Sequence, residues 1–323
     1  MKVLQLTTNY PCKENPVFGV FMKEQAESVE KYGVNNKIFF SNGLKAKNAS
    51  IIHLKSAIKL FFHLLIHKYD VIHAHNTLSG LILLLSGGIF WNKTVFSIQN
   101  DPNFKGANAS NLLKYIVPRV NKVIVKLPPQ AANKKYIYLP NGVNLEFCRP
   151  IDKISAKKKL GLDCNKKHIL FVDSNTSKGR TQKRKDRFDK TIQILKEKLG
   201  YDNIEELLLI NVEREKVPLY MNAADLYLLT SDEEGSPNAV KECMACNTPV
   251  VATPVGNIPD LFDGVKECKI SKGFDPEELA KLSHEVLIYN ASINTRQAII
   301  NKNLDIDSIA KKLYNIYREV IIE

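Results

Sequence analysis

The sequence predicts an α/β protein built from two doubly wound halves, and three observations carry that expectation. Apolar runs of strand length alternate with helical patterns along nearly the whole chain. The alternation restarts once, after a turn-rich stretch near residue 140. With 323 residues, 44% of them hydrophobic, the chain can also bury two cores of ordinary size.

The first set opens with Lys2–Thr7, too brief in its apolar part for a secretory leader and patterned as a buried strand. A helix is expected over 20–32, a strand at 37–40, a helix over 51–68 and a strand at Val71–Ala74. Further apolar pattern at 80–88 precedes strands at Thr94–Ile98, Lys122–Val125 and 136–139. The second set places strands at 168–172, 207–210, Leu226–Leu229 and 249–252, each followed by a turn or helix. Between the sets, Leu139-Pro140-Asn141-Gly142-Val143 reads as a strand end and a turn, and polar, proline-containing sequence continues to Ile151. This divides the chain into a first domain at 1–143 and a second at 144–306. The segment 307–323 holds a last helix that can cross back onto the first domain.

Composition narrows the function classes. The longest apolar stretches, 57–66 and 80–91, fall short of the ~20 residues that cross a bilayer, and Lys59 and His63 interrupt the first. No spanning helix is expected, and the chain is expected in the cytoplasm. Six cysteines scattered without a secretory signal fit reduced thiols. Cys243 and Cys246 share a helical pattern with no second ligand pair nearby, so packing is expected of them rather than zinc or redox chemistry. The net charge of +12 favours an anionic partner, and six basic residues crowd 178–187 (KGRTQKRKDR). No nucleic-acid partner is expected for that tract.

In open α/β sheets ligands lie beyond the carboxyl ends of the strands, which directs attention to the loops there. The first, 9–21, reaches its helix through Gly19, where backbone N–H groups can approach a phosphate. An ordinary flexible loop has the same pattern, and the absence of G-x-G-x-x-G argues against a dinucleotide oxidoreductase. The richest is 231–253 (SDEEGSPNAVKECMACNTPVVAT), between two buried strands. Ser236 is suited to cap a helix and Pro237 to its first position, so free N–H groups would face an anion there. Glu242 follows Glu234 by eight residues, roughly 12 Å along a helical path. That span suits one carboxylate on a sugar and the other on a ribose, with phosphates between. A solvated helix residue and an acidic loop give the same spacing.

Residues 217–253 resemble the donor-site block of the retaining GT-B glycosyltransferases, glycosyltransferase family 4 (group 1 glycosyltransferases). Supporting pieces are Gly19, Tyr69-Asp70-Val71-Ile72-His73-Ala74-His75, Leu139-Pro140-Asn141-Gly142-Val143 and Val255-Gly256-Asn257-Ile258-Pro259-Asp260. The resemblance implies two Rossmann-like domains facing a central cleft. It gives Glu234 and Glu242 the roles of the family's Glu-x7-Glu pair, the first toward the sugar and the second toward the ribose. Gly235, Ser236, Pro237 and Asn238 then line the donor, with Gly19 toward the diphosphate. A lysine and an arginine neutralise the departing diphosphate in that family, and here Arg187, with Lys185 and Arg184 as substitutes, holds the matching place. Where many relatives carry a donor-contacting histidine, this chain has Gln99 and Asn100, which can hydrogen-bond a hydroxyl but do not titrate near neutral pH.

The implied activity is transfer of a hexosyl group from a nucleotide-diphosphate sugar, UDP- or GDP-linked, to a hydroxyl acceptor with retained configuration, in cell-surface polysaccharide or glycolipid biosynthesis. Neither cofactor nor metal is implied. His73 and His75, on one strand face, are expected to pack or line the cleft, and Asp307 in Asp305-Ile306-Asp307 to cap a helix. The acceptor is expected to be lipid-linked or a saccharide. The mix of Ile, Leu and Phe with Lys55, Lys59, His63, His67 and Lys68 over 51–69 fits a helix packed on the first sheet with a solvated edge, and also one lying against anionic lipid at the inner face of the membrane. Two alternatives share these features: a GT-B epimerase or phosphorylase, and a catalytically weak sugar-nucleotide-binding partner of another transferase.

Overall fold

The computed structural model describes residues 1–13, 15–43, 48–99, 109–128, 134–173, 182–289 and 292–323. They form two compact units, Met1–Asn141 with Asp307–Glu323, and Gly142–Ile306.

In the first unit β1 (Lys2–Thr7), α1 (Val20–Ser28), β2 (Asn35–Phe40), α2 (Ala49–Ile66), β3 (Val71–Ala74) and α3 (Thr77–Leu85) are followed by β4 (Thr94–Ile98), α4 (Ala109–Ile116), β5 (Lys122–Val125) and β6 (Tyr136–Tyr138). The six strands pair in parallel in the order β2-β1-β3-β4-β5-β6. Period-2 alternation sends Leu4, Leu6, Ile72, Phe96 and Val123 into one core and Val3, Val71, Val95 and Ile124 into another. Both faces are therefore covered, which is why these strands read as unbroken apolar runs. Asn48 caps α2, and Asn76 with Ser79 forms a capping box at the start of α3.

Helix α2 departs from the sequence expectation. It runs for 18 residues and is, by length and composition, apolar enough to cross a membrane. Counting contiguous apolar residues from 57 misses the turns that begin at Ala49. Only Ala57, Leu60 and Leu64 of this helix are buried, whereas Leu54, Ile58, Phe62, Leu65 and Ile66 are more than half exposed, at 54–76%.

The second unit contains α5 (Lys153–Lys159), β7 (Lys167–Asp173), α6 (Lys185–Leu199), β8 (Ile204–Ile210), α7 (Val217–Ala223), β9 (Leu226–Leu229) and α8 (Asn238–Ala245). It continues with β10 (Val250–Ala252), α9 (Ile258–Phe262), β11 (Lys269–Ile270), α10 (Pro276–Leu287) and α11 (Thr295–Asn301). Its five parallel strands lie in the order β11-β10-β9-β7-β8. The order reverses between β7 and β9, so the loops after these two strands meet at the topological switch point, where open α/β sheets bind ligands. Strand β11, two residues long, has no apolar run to announce it.

The last helix, α12 (Ile306–Ile322), buries Ile309, Leu313, Ile316, Tyr317 and Val320 in the core that holds Val3, Val71 and Val95. It is thus a layer of the first unit. Tyr314 stacks on Tyr32 at 5.3 Å, and Lys122 pairs with Glu323 at 2.7 Å. Asp307 lies within the first turn of α12 rather than ahead of it, and ion-pairs with Lys31.

Candidate functional site

The two loops at the switch point of the second unit are laced together by hydrogen bonds onto backbone carbonyls. Asp232 N–H donates to the Gln182 carbonyl at 2.9 Å, and Gln182 Nε2 to the Glu233 carbonyl at 2.7 Å. The Thr230 hydroxyl donates to the Lys183 carbonyl at 2.9 Å. This lacing brings the basic tract against the acidic loop: Lys183 Nζ lies 2.5 Å from Glu234 Oε1, and Ser231 Oγ donates to the same oxygen at 2.8 Å. Glu234 is held by a lysine and a hydroxyl at the carboxyl end of β9.

Lys183 was not singled out in the sequence, whose bets were Arg187, Lys185 and Arg184. All three are committed within the unit. Arg187 is buried, donating to the Thr230 carbonyl at 2.5 Å and pairing with Asp232 at 2.8 Å, with Phe274 beneath its guanidinium. Lys185 pairs with Asp189 and, at 2.9 Å, with Glu206 on β8. Arg184, in a left-handed conformation (φ 51°) ahead of α6, bonds Asp186 and Asp232. Of the tract, 178–181 lies outside the described residues, as does Asn100.

Helix α8 starts one residue later than its capping pattern suggests. Pro237 is the N-cap, no side chain among the described residues caps the helix, and Asn238 opens it. Proline takes the position because its φ of −66° and ψ of 115° suit a chain entering a helix from extended backbone. The Ser236 hydroxyl instead receives a hydrogen bond from Lys241 Nζ at 2.9 Å. The first-turn N–H groups of α8 are consequently open to an external acceptor. Asn238 Oδ1 is buried without a hydrogen-bond partner among the described residues, a further unused polar atom at this helix start.

Since α8 begins at Asn238, the path from Glu234 to Glu242 is half loop and half helix rather than a straight helical rise. Glu242 pairs with Arg214 at 2.6 Å, and the guanidinium lies 4.6 Å from the Phe147 ring centroid. Arg214 also escaped the sequence reading, opening a short 3-10 helix 28 residues before its partner. Behind the site, Gly256 (φ +59°) presses on the acidic loop. A Cβ there would stand 2.3 Å from the Gly235 carbonyl oxygen, and the next residue, Asn257, donates its N–H to that oxygen at 3.0 Å. Glycine is required at 256 by both conformation and space.

In the first unit Gly19 (φ +68°) precedes α1, where a Cβ would meet the Asn9 carbonyl at 2.5 Å. Gln99 donates to the His75 carbonyl at 2.9 Å. His73 bonds Tyr317 Oη at 2.7 Å and Ser97 Oγ at 2.8 Å, and His75 bonds Gln5 Oε1 at 2.5 Å. Burial, with Lys126 nearby, holds both imidazoles well below their ordinary pKa, His75 being lowered further by His73. These are neutral, packed histidines. Cys243 and Cys246 are buried free thiols of the second unit's core.

Residues 184–287 match the family model described as glycosyl transferases group 1. A lipopolysaccharide core biosynthesis mannosyltransferase of Rhizobium meliloti is 30% identical over 185 residues, 48% of this chain and 51% of the relative. A D-inositol 3-phosphate glycosyltransferase of Corynebacterium jeikeium is 36% identical over 28% of this chain and 21% of its own. The chain therefore spans about half, or less, of the length of the curated relatives it matches. Among solved structures, sucrose-phosphate synthase of Thermosynechococcus elongatus aligns over 99% of both chains with a TM-score of 0.77 at 16% identity. Anabaena HepE, solved with UDP and glucose, aligns over 98% of both with a TM-score of 0.71 at 14% identity. The fold is accordingly that of the GT-B glycosyltransferases, and the second unit carries, over residues 184–287, a match to their group 1 domain.

Proposed function

We propose that the protein transfers a hexosyl group from a nucleotide-diphosphate sugar to a hydroxyl acceptor with retention of configuration, in the assembly of a cell-surface polysaccharide or glycolipid. The observation that carries this reading is the Glu234–Lys183–Ser231 cluster beside the uncapped start of α8, at the switch point of the second unit. A carboxylate that can accept sugar hydroxyls, a lysine and open helix N–H groups are what a sugar diphosphate requires. The group 1 match over 184–287 and the biosynthetic transferases among the relatives support it.

Catalysis is then electrostatic. As the bond from C1 to the diphosphate oxygen loosens, Lys183 and the α8 N–H groups stabilise the negative charge that collects on the leaving phosphate. Glu234 orients the sugar, whose C1 becomes oxocarbenium-like. The acceptor hydroxyl enters from the leaving-group side and gives its proton to the departing oxygen.

The donor is UDP- or GDP-linked, the former also found with HepE. A thermal-shift screen over UDP-, GDP-, ADP- and CMP-sugars tests the reading, since a bound donor raises stability by mass action. Stabilisation by one donor class, lost in Glu234→Ala, supports it. No shift with any donor, and no hydrolysis of any, overturns it. Donor binding without turnover over a broad acceptor panel would move the assignment to a sugar-nucleotide-binding partner.

The exposed apolar face of α2 supports an acceptor held at a membrane. Lys55 and Lys59 are exposed beside that face, so lipid tails and anionic headgroups find complementary surfaces on one helix.

A further inference from the structure

Lys241 is an ammonium-bearing side chain inside the protein, and the reaction outlined above leaves it without a task. It follows Val240 and precedes Glu242 in α8, is 0% exposed, and donates from Nζ to Ser236 Oγ at 2.9 Å, a hydroxyl that is itself buried. A charge so deep in protein is costly unless something nearby profits from it. Its own helix offers Glu242, which is already paired with Arg214. The elements packed on α8 contribute Arg296 from α11, Tyr220 from α7 and Tyr227 from β9, with Arg214 just ahead of α7. Arg296 is committed to the carbonyls of Leu145, Cys148 and Ala245. Burial pushes the Lys241 pKa down to about 7, Glu242 opposing the shift. The uncapped first turn of α8 adds positive partial charge at the same place.

Resting on the donor reading above, we propose that Lys241 is a positioning residue for the donor's diphosphate and acts through Ser236. Because Oγ accepts from Nζ, the hydroxyl proton is left to be donated to a phosphate oxygen. The ammonium meanwhile sets its charge behind the open N–H groups of α8. An entering diphosphate favours the charged lysine, so binding draws in a proton.

Isothermal titration of the full chain with UDP and with GDP, in buffers of different ionisation enthalpy between pH 7 and 8.5, reads that proton directly. The expected result is uptake of about half a proton per nucleotide near pH 7 and affinity roughly tenfold weaker at pH 8.5 than at pH 7. Lys241→Met should bind at least tenfold more weakly and lose the uptake. Lys241→Arg, always charged, should keep binding and lose the pH dependence. Ser236→Ala combined with Lys241→Met should cost no more than the larger single loss. Wild-type binding without uptake, or uptake that survives in Lys241→Arg or Lys241→Met, overturns the proposal while leaving the donor site standing. Failure of UDP, GDP, ADP and CMP alike to bind the wild type removes the donor reading, and this proposal with it. If a variant does not fold, the wild-type proton count decides alone.

Discussion

Lys183 Nζ and Glu234 Oε1 lie 2.5 Å apart, and they come from loops that follow two different strands, β7 and β9. The pair exists because the sheet order reverses between those strands and the Gln182 and Thr230 side chains, donating to backbone carbonyls of the facing loop, fasten the loops together. Lys183 is 29% exposed at its side chain, whereas Arg187, four residues on, is 6% exposed and fully used.

That contrast separates two substitutions. Lys183→Ala should weaken nucleotide-sugar binding about 10- to 100-fold, the scale of a charge-assisted hydrogen bond, and change stability by less than about 1 kcal/mol. Arg187→Ala should instead cost about 2–3 kcal/mol of folding stability by abandoning the Thr230 carbonyl and Asp232. Urea unfolding and calorimetric titration with UDP read the two effects; equal stability losses would refute the division of labour.

Gly256→Ala should destabilise the chain by about 2–3 kcal/mol, since a left-handed φ and a carbonyl contact are both violated. The displaced group is the Gly235 carbonyl, so donor affinity should fall together with the melting temperature. Affinity unchanged in a folded variant would show that the 234–235 backbone does not matter to the donor.

Stability should depend on alkaline pH through Lys241. Its folded pKa of about 7 lies below the ordinary lysine value, so between those limits the unfolded chain binds more protons. Unfolding free energy should therefore rise as pH increases from about 7 toward 10, and Lys241→Met should flatten that rise. Chemical denaturation across the range checks the slope, and a wild-type curve parallel to the variant's would count against a depressed pKa.

The buried chain Gln5–Tyr317–His73–Ser97 makes a prediction for the first unit. Tyr317→Phe should cost about 1–2 kcal/mol by leaving His73 Nδ1 unpaired. Both His73 and His75 are neutral when folded, so stability should fall as pH drops below about 6.5, where the unfolded chain takes up protons first. Acid titration of intrinsic fluorescence follows it; indifference between pH 6.5 and 5 would contradict buried neutral imidazoles.

Vesicle co-sedimentation tests the α2 surface. Binding to anionic vesicles should exceed binding to neutral ones and fall about 10-fold or more in Lys55→Glu with Lys59→Glu, at roughly 1 kcal/mol per basic residue. Phe62→Ser with Leu65→Ser should weaken binding to both kinds. Sedimentation indifferent to lipid charge and to these four residues would refute a lipid-facing helix.

Much of the fold could be read in advance because the strands are covered on both faces, and residues such as Val71–Ala74 or Leu226–Leu229 have no polar alternation to hide them. Short pieces were less visible, β11 because two residues carry no period; the helix at α2 was legible, but its full apolar length was not, because polar Ser50, His53 and Lys55 interrupt its first turns. At the site, Glu234, Glu242 and the helix start were legible from one continuous segment. Lys183 and Arg214 were not, since each meets its carboxylate only through chain path. Lys241 looked like any charged helix residue, and only the packing around α8 reveals that it is enclosed.

The placement of α12 has a consequence for biogenesis. The second unit is one uninterrupted stretch, Gly142–Ile306, but the first needs residues on both sides of it. During synthesis at about 5–20 residues per second, Val3, Val71 and Val95 emerge long before Leu313, Tyr317 and Val320 can cover them. The half of the chain made first is therefore the half completed last, and for that interval its sheet shows one bare apolar face to whatever in the cell attends nascent chains.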